Sequence, residues 1–412
     1  MNLRVAELSL IVFAVVLAVG LFISTDFATG TSLAADTLGF AVAFSLIAIG
    51  AHAAVRRFAP ASDPLILPLS LALVGIGLAM IRRLDATLGG AQLIWAAVAF
   101  AAFAGTLMLV KDHRKIGEFR YSMLVLGVGL LLLPLTPIGS DLGRSARLWV
   151  TIAGMNFQPA EAAKIVLSLF LAGYLASKRE LMTLAAFRVG PIGIPAPRHF
   201  GPLLIAWGMS LAIMFYERDL GSSLLFFSLF IATIYMATSR AVFVVTGIGL
   251  FAAGVSVAMQ RFSHVQVRVD AWLNPWSDDP VSGILAGGRQ IAQSWYALGA
   301  GGMAGTGIGR GSPELIDPGI RSGTLPTDFI FAAIGEELGF FGAVAVLLIF
   351  ALIVARGFTI ALRSTDAFGS LLAGSLTVIL GLQAFLIMGG VTRLLPLTGI
   401  TLPFVSYGGS SL

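Results

Sequence analysis

The chain has 412 residues, 57% hydrophobic and only 11% charged, with a formal net charge of +5 and a mean hydropathy of +0.93. That composition excludes an ordinary soluble domain, and apolar runs of about 17 to 25 residues recur from end to end, as bilayer-spanning helices require. The absence of cysteine excludes disulfides and thiolate metal sites, and the four histidines (His52, His113, His199 and His264) lack ligand spacing.

In chain order, apolar segments fall at 6–24, 34–54, 64–81, 92–110, 120–137, 160–176, 202–217, 219–237, 241–259, 327–355 and 366–390. A last one starts near 399 and is cut off at Leu412. They predict an all-α polytopic membrane protein of about twelve transmembrane helices. The first run is long, carries no small-residue cleavage site and is followed by many more, so it reads as a spanning helix and not as a removed signal peptide. No fixed-period repeat is visible, and the two halves do not match as inverted repeats, which disfavours a transporter.

The basic residues set the expected orientation. With the N-terminus inside, the inner segments hold 14 of the 26 Lys and Arg, among them Arg56, Arg57, Lys111, Arg114 and Lys115, in short loops. The long polar stretch 262–326 is then extracytoplasmic. Its arginines, together with Arg144 and Arg147, suit either lipid headgroups or a lipid diphosphate substrate. The positive charge is accounted for by the membrane, and no nucleic-acid partner is expected.

The first polar constellation is an outer segment with Arg147 and Trp149, followed by Gln158-Pro159-Ala160-Glu161 and Lys164. Pro159 fits the first position of a helix, and Glu161 and Lys164, at i and i+3, share a face. They are either a structural ion pair or the lining of a polar cavity. Arg218-Asp219-Leu220-Gly221 marks a break between two apolar segments. Within the long loop, Ile291, Trp295 and Leu298 at i, i+4 and i+7 predict a short helix lying in the membrane surface, with Trp272, Trp276 and Trp295 as anchors. The glycine-rich run 299–310 after it either wraps an anion or flexes.

Asp328 closes the polar stretch where Phe329-Ile330-Phe331 begins an apolar run, and a carboxylate at that boundary is a candidate functional group. Thr327 reads as an N-cap, placing Asp328 in the first helical turn. Asp328 is then either a capping carboxylate or a general base that takes a proton from an attacking sugar hydroxyl. Glu336 and Glu337, farther along, need a partner or a polar cavity.

These segments resemble the motifs of the RodA/FtsW/SpoVE family, the SEDS glycosyltransferases. The resemblance runs over about residues 64–412 through Arg147-Leu148-Trp149, Gln158 to Lys164, Arg218 to Gly221, Gln293-Ser294, Thr327 to Ala332, Glu336-Glu337-Leu338-Gly339 and the end Leu394 to Ser411. It implies a ten-helix core, here over 61–412, and the helix pair within 1–60 departs from it as an N-terminal addition. It also implies polymerisation of lipid II into peptidoglycan strands at the outer face of the bacterial cytoplasmic (inner) membrane, with the N-terminus cytoplasmic.

The resemblance makes Asp328 the catalytic residue and sets Lys164, Glu161, Arg147, Arg218, Trp149, Gln293 and Ser294 at the substrate. It implies a class B penicillin-binding protein, a transpeptidase, as partner, alongside membrane lipids. A divalent cation, Mg or Mn, is a possible aid to departure of the diphosphate. Residues 390–399 lean toward the RodA branch, which serves elongation and cell shape, over the division-specific FtsW branch. A lipid II flippase is the rival reading. One departure is Arg218, where the family has proline.

Overall fold

The computed structural model describes residues 3–29, 35–140, 148–152, 155–183, 187–189, 192–194, 201, 204, 208, 211–212, 219–278, 288–316 and 324–412. The helices in them are α1 Leu3–Thr29, α2 Ala35–Phe58, α3 Ile66–Leu84, α4 Ala86–Leu109, α5 His113–Glu118, α6 Arg120–Leu132 and α7 Pro159–Thr183, then α8 Leu220–Thr238, α9 Ala241–Arg261, α10 Ser263–Leu273, α11 Arg289–Gly301, α12 Ile330–Arg363 and α13 Ala367–Val391. Among the described residues nine helices, α1–α4, α7–α9, α12 and α13, are long and apolar enough to cross a bilayer. The chain is a multi-pass membrane protein.

Two of the twelve expected segments differ, and a third falls mostly outside the described residues. The run 120–137 yields a 13-residue helix that tightens into a 3-10 turn at Leu133–Leu135. Pro134 there has no N–H to return to the preceding turn. Most of 202–217 lies outside the described residues. The last run is not a helix: Gly399, Phe404 and Gly408 take φ of 72°, 65° and 137°, and the only regular element in it is a 3-10 turn at Gly409–Ser411. Short antiparallel strands, unforeseen in the sequence, are β1 Gly139–Ser140, β2 Trp149–Ile152 and β3 Met155–Phe157, with a hairpin of β4 Phe187–Val189 and β5 Ile192–Ile194.

The chain divides into two compact units. One comprises residues 1–111, 266–356 and 383–412. Its core sets a stripe of α1, Ile11, Ala14, Ala18 and Phe22, and one of α2, Phe40, Phe44 and Ala48, against Leu71 and Leu78 of α3. The helical spacing puts each set on one face. Small residues bring the backbones close, as expected where lipid removes any hydrophobic drive between helices: a Cβ on Gly75 would lie 2.5 Å from that of Ala18. Faces bearing Phe13 and Val16 stay exposed, as lipid-facing surfaces do.

Ion pairs sort the two ends of this unit. Glu7, fully buried, meets Arg4 and His52, the latter at 2.9 Å, and Arg356 Nε donates to Asp63 at 2.8 Å. At the other end Arg82 reaches Asp26 at 3.0 Å and Arg83 reaches Glu337 at 3.0 Å. The C-terminal ends of α1 and α3 therefore share a side with the start of α12.

The same unit contains a helix break. At Gly339, φ 69° and ψ −169°, α12 is interrupted, and the freed backbone groups pair with the segment after α11. Phe340 N donates to Gly302 O at 2.9 Å, and Thr306 N and Gly307 N donate to the carbonyls of Glu336 and Glu337 at 2.9 and 3.1 Å. In hydrocarbon such groups must be satisfied within the protein. Glycine is required for the approach, since a Cβ on Gly339 would overlap the Gly305 amide and one on Gly305 the Glu337 carbonyl. The glycine-rich run is thus a clasp on a broken helix, in place of the flexible or anion-wrapping loop expected.

The second unit comprises residues 112–265 and 357–382. Its core is built from Leu131 of α6, Ala163, Leu167, Phe170 and Tyr174 of α7, and Phe226, Leu229 and Phe230 of α8.

Candidate active site

Asp328 lies in a tight turn just ahead of α12, two residues before the first helical one. The Thr324 carbonyl accepts from Asp328 N at 2.8 Å and from the amides of Thr327 and Phe329 at 3.3 Å. Thr327 is therefore not the N-cap: its hydroxyl donates to the Thr324 carbonyl, and the helix begins two residues later than an N-cap at Thr327 implies. The consequence is a half-buried carboxylate on a rigid turn flanked by buried Thr327 and Phe329.

The turn is held from behind by residues 399–412. Ser406, fully buried, donates its hydroxyl to the Thr327 carbonyl and accepts from Leu402 N at 2.8 Å. Tyr407 N donates to the Pro326 carbonyl at 2.9 Å. Gln92 of α4 closes the knot, donating to Ser406 O at 3.2 Å and accepting from Gly408 N at 3.0 Å. The amides of 327–329 and the carbonyls of Pro326 and Thr327 are thereby given fixed partners, the arrangement that preorganises a catalytic group.

A cation faces the same spot. Arg268 of α10 donates to the Thr398 carbonyl at 3.0 Å. A Cβ built on Gly399 would lie 3.7 Å from Arg268 Nη2 and 3.9 Å from Asp328 Oδ2, so the guanidinium and the carboxylate end over one glycine. Arg393 fixes α10: its Nε and Nη2 donate to the carbonyls of Trp272 and Leu273 at 2.8 and 2.7 Å, and its guanidinium stacks 5.0 Å over Trp276. Sequence reasoning noticed Arg268 only as one of several outer arginines, because its meeting with Asp328 depends on a partner 60 residues away.

Of the other predicted residues, Gln293 and Ser294 sit on α11 in the same unit as Asp328. Gln293 is half-buried, and Ser294 is buried with its hydroxyl bonded to the Gln290 carbonyl at 2.7 Å. The helix forms as expected: Ile291, Ser294 and Ala297 are buried against the protein, while Trp295 is exposed beside Trp276. Small residues face in because α11 packs on α12, where Gly301 meets the Gly335 carbonyl with no room for a Cβ.

Glu161, Lys164 and Trp149 belong to the second unit. Lys164 Nζ and Glu161 Oε2 form an ion pair at 2.7 Å, with Lys164 only 2% exposed. Trp149 opens β2, paired with Ser140, and is half-buried. Asp219 caps α8 by accepting from Ser222 N at 2.9 Å. Arg147 and Arg218, with Arg144, lie outside the described residues. Glu336 and Glu337 are buried and find partners in the clasp: Ser312 N at 2.8 Å for the first, Gly309 N at 2.9 Å and Arg83 for the second.

The FtsW/RodA/SpoVE family model, described as cell cycle protein, matches residues 65–412. The chain belongs to this family. It is 40% identical to the peptidoglycan glycosyltransferase RodA of Mycobacterium tuberculosis (strain ATCC 25618 / H37Rv) over 99% of its own length and 87% of that protein's. It is 35% identical to the probable peptidoglycan glycosyltransferase FtsW of Geobacter metallireducens (strain ATCC 53774 / DSM 7210 / GS-15), over 73% of this chain and 75% of that one. Its fold is that of a chain in a solved structure described as structural coordination of polymerization and crosslinking by a peptidoglycan synthase complex, with TM-score 0.58, 23% identity, and 91% and 93% of the two chains covered. The family match begins past α1 and α2, whereas the RodA likeness includes them.

Proposed function

We propose that the chain is a peptidoglycan glycosyltransferase of the RodA type, polymerising lipid II at the outer face of the cytoplasmic membrane with its N-terminus inside. The observation that carries the mechanism is the Asp328 turn: a carboxylate on a backbone turn held by Thr324 and Ser406, with the Arg268 guanidinium over the same glycine. Likeness to RodA over nearly the whole chain, including the N-terminal pair, supports the elongation type over the division type.

In this reading Asp328 accepts the proton of the GlcNAc 4-hydroxyl of one lipid II as that oxygen bonds to the anomeric carbon of the other glycan. The bond from that carbon to the diphosphate oxygen breaks, and undecaprenyl diphosphate leaves with the bonding pair. Arg268 attracts the developing phosphate charge, the kind of electrostatic stabilisation that usually dominates such steps. The Lys164–Glu161 pair, Arg147, Arg218, Trp149, Gln293 and Ser294 are proposed substrate contacts. Among the described residues no three His, Asp or Glu side chains gather to hold a metal ion. A Mg or Mn ion, were the step to use one, would neutralise charge on the departing diphosphate. A class B penicillin-binding protein is the proposed partner, supported by the fold's occurrence in a synthase complex.

The test is lipid II handling by the purified chain with that transpeptidase, in detergent and in sealed vesicles. Glycan strands formed in detergent support the polymerase. Movement of lipid II across vesicles without any strand formation would replace it with a flippase.

A further inference from the structure

The helix pair that precedes the matched family region is tied to the break in α12. Asp26, near the end of α1 and 3% exposed, accepts from Arg82 Nη2 at 3.0 Å, and Thr37 of α2 donates to its other oxygen. Arg82 also stacks 4.2 Å over the Phe22 ring of α1. The next residue faces the other way. Arg83 Nε lies 3.0 Å from Glu337 Oε1, and its Nη2 donates to the Gly311 carbonyl at 3.2 Å. Successive helical side chains point about 100° apart, so two neighbouring arginines at one helix end reach two different partners, Asp26 of α1 and Glu337 of α12.

Packing joins the same parts. Gly309, with φ of 73°, sits so close to α1 that a Cβ on it would lie 2.5 Å from the Cβ of Ala28. Its amide is the one bonded to Glu337. The end of α1 is therefore linked to the first half of α12 by an ionic route through Arg82-Arg83 and by a steric route through Ala28 and Gly309. That half-helix begins at the turn carrying Asp328.

We propose that Asp26 is a positioning residue for the transfer step: by fixing Arg82 it sets Arg83, Glu337 and the clasp, and so the seat of the Asp328 turn. This rests on the glycosyltransferase reading above. The N-terminal helix pair is then part of what holds the active-site geometry, not an accessory.

The test compares lipid II polymerisation by the full chain and its transpeptidase for wild type, Asp26→Asn, Asp26→Glu and Glu7→Gln. Because a displacement of about 1 Å at a catalytic group costs up to about 100-fold, Asp26→Asn is expected to lower kcat by about tenfold with KM little changed. Asp26→Glu should restore most of it. Glu7→Gln removes an equally buried carboxylate at the opposite end of α1 and should lower thermal stability while leaving kcat unchanged.

Wild-type kcat in Asp26→Asn, or an equal kcat loss in Glu7→Gln, would overturn the proposal. If Asp26→Asn does not fold, Gly309→Ala decides: its added Cβ would lie 2.5 Å from that of Ala28, and an unchanged kcat would overturn the proposal. An inactive wild type sinks the glycosyltransferase reading and this one with it, whereas an active wild type with an unaffected Asp26→Asn sinks this one alone.

Discussion

Ser406→Ala removes a single oxygen that serves two backbone groups. The Leu402 amide loses its acceptor at 2.8 Å and the Thr327 carbonyl loses its hydroxyl donor, in a site with no exposure at all. A buried polar group deprived of its partner costs about 1–3 kcal/mol, so the change should destabilise the knot by about 3 kcal/mol after partial relaxation. Thr327 adjoins Asp328, and the freed turn can shift its carboxylate by a fraction of an ångström. The rate should then fall about 10- to 100-fold with KM nearly constant.

Ser411→Ala is the matched control. Its hydroxyl donates to the carbonyls of Ser406 and Gly408, which keep Gln92 Nε2 and Ser411 N as donors. The expected loss is about 1 kcal/mol with little change in rate. Initial rates of lipid II polymerisation and unfolding in a denaturing detergent, measured on both variants, check the pair. Wild-type kcat in Ser406→Ala, or equal damage from Ser411→Ala, would refute the claim that this knot seats the catalytic turn.

Three further outcomes follow from the geometry. Removing either partner of the buried Glu161–Lys164 pair should cost about 3–5 kcal/mol, and replacing both by apolar residues distinctly less than the sum, as a double-mutant cycle of unfolding would show. Gly339→Ala forces a positive φ on a residue with a Cβ and drives that Cβ into the Gly305 amide, so yield of folded protein should collapse; normal yield would disprove the clasp.

The third concerns pH. Asp366 is partly desolvated, which opposes its ionisation, but the Gly369 amide and His113 outweigh this and hold its carboxyl below the usual range. A carboxylate with a depressed folded pKa contributes stability that is present above its unfolded pKa of about 4 and is lost as pH falls through the folded value. Wild type should therefore exceed Asp366→Asn in unfolding midpoint at pH 6–7, and the gap should close toward about pH 3.

The long spans were legible in the sequence because hydrocarbon thickness dictates about twenty apolar residues, and α1–α4, α7–α9, α12 and α13 obey it. The run after 399 obeyed it in composition only: Gly399, Pro403 and Gly408 turn the backbone into a knot that wraps Ser406. Asp328 stood out in the sequence as a carboxylate at the edge of an apolar run, but its turn did not, since the Thr324 carbonyl that gathers three amides overrides the local capping signal of Thr327. The clasp at Gly339 and the meeting of Arg268 with Asp328 were hidden for a common reason. Each joins residues about 30 or more positions apart, and periodicity carries no information on such pairs.

The central claim is that Asp328 is the base of the transfer reaction. Its most direct test is the rate of glycan-strand formation from lipid II by the folded chain with its transpeptidase, wild type against Asp328→Asn, which keeps the volume and removes the proton acceptor. The account predicts strands with wild type and none with the variant at equal fold and equal lipid II binding. Equal rates would contradict it.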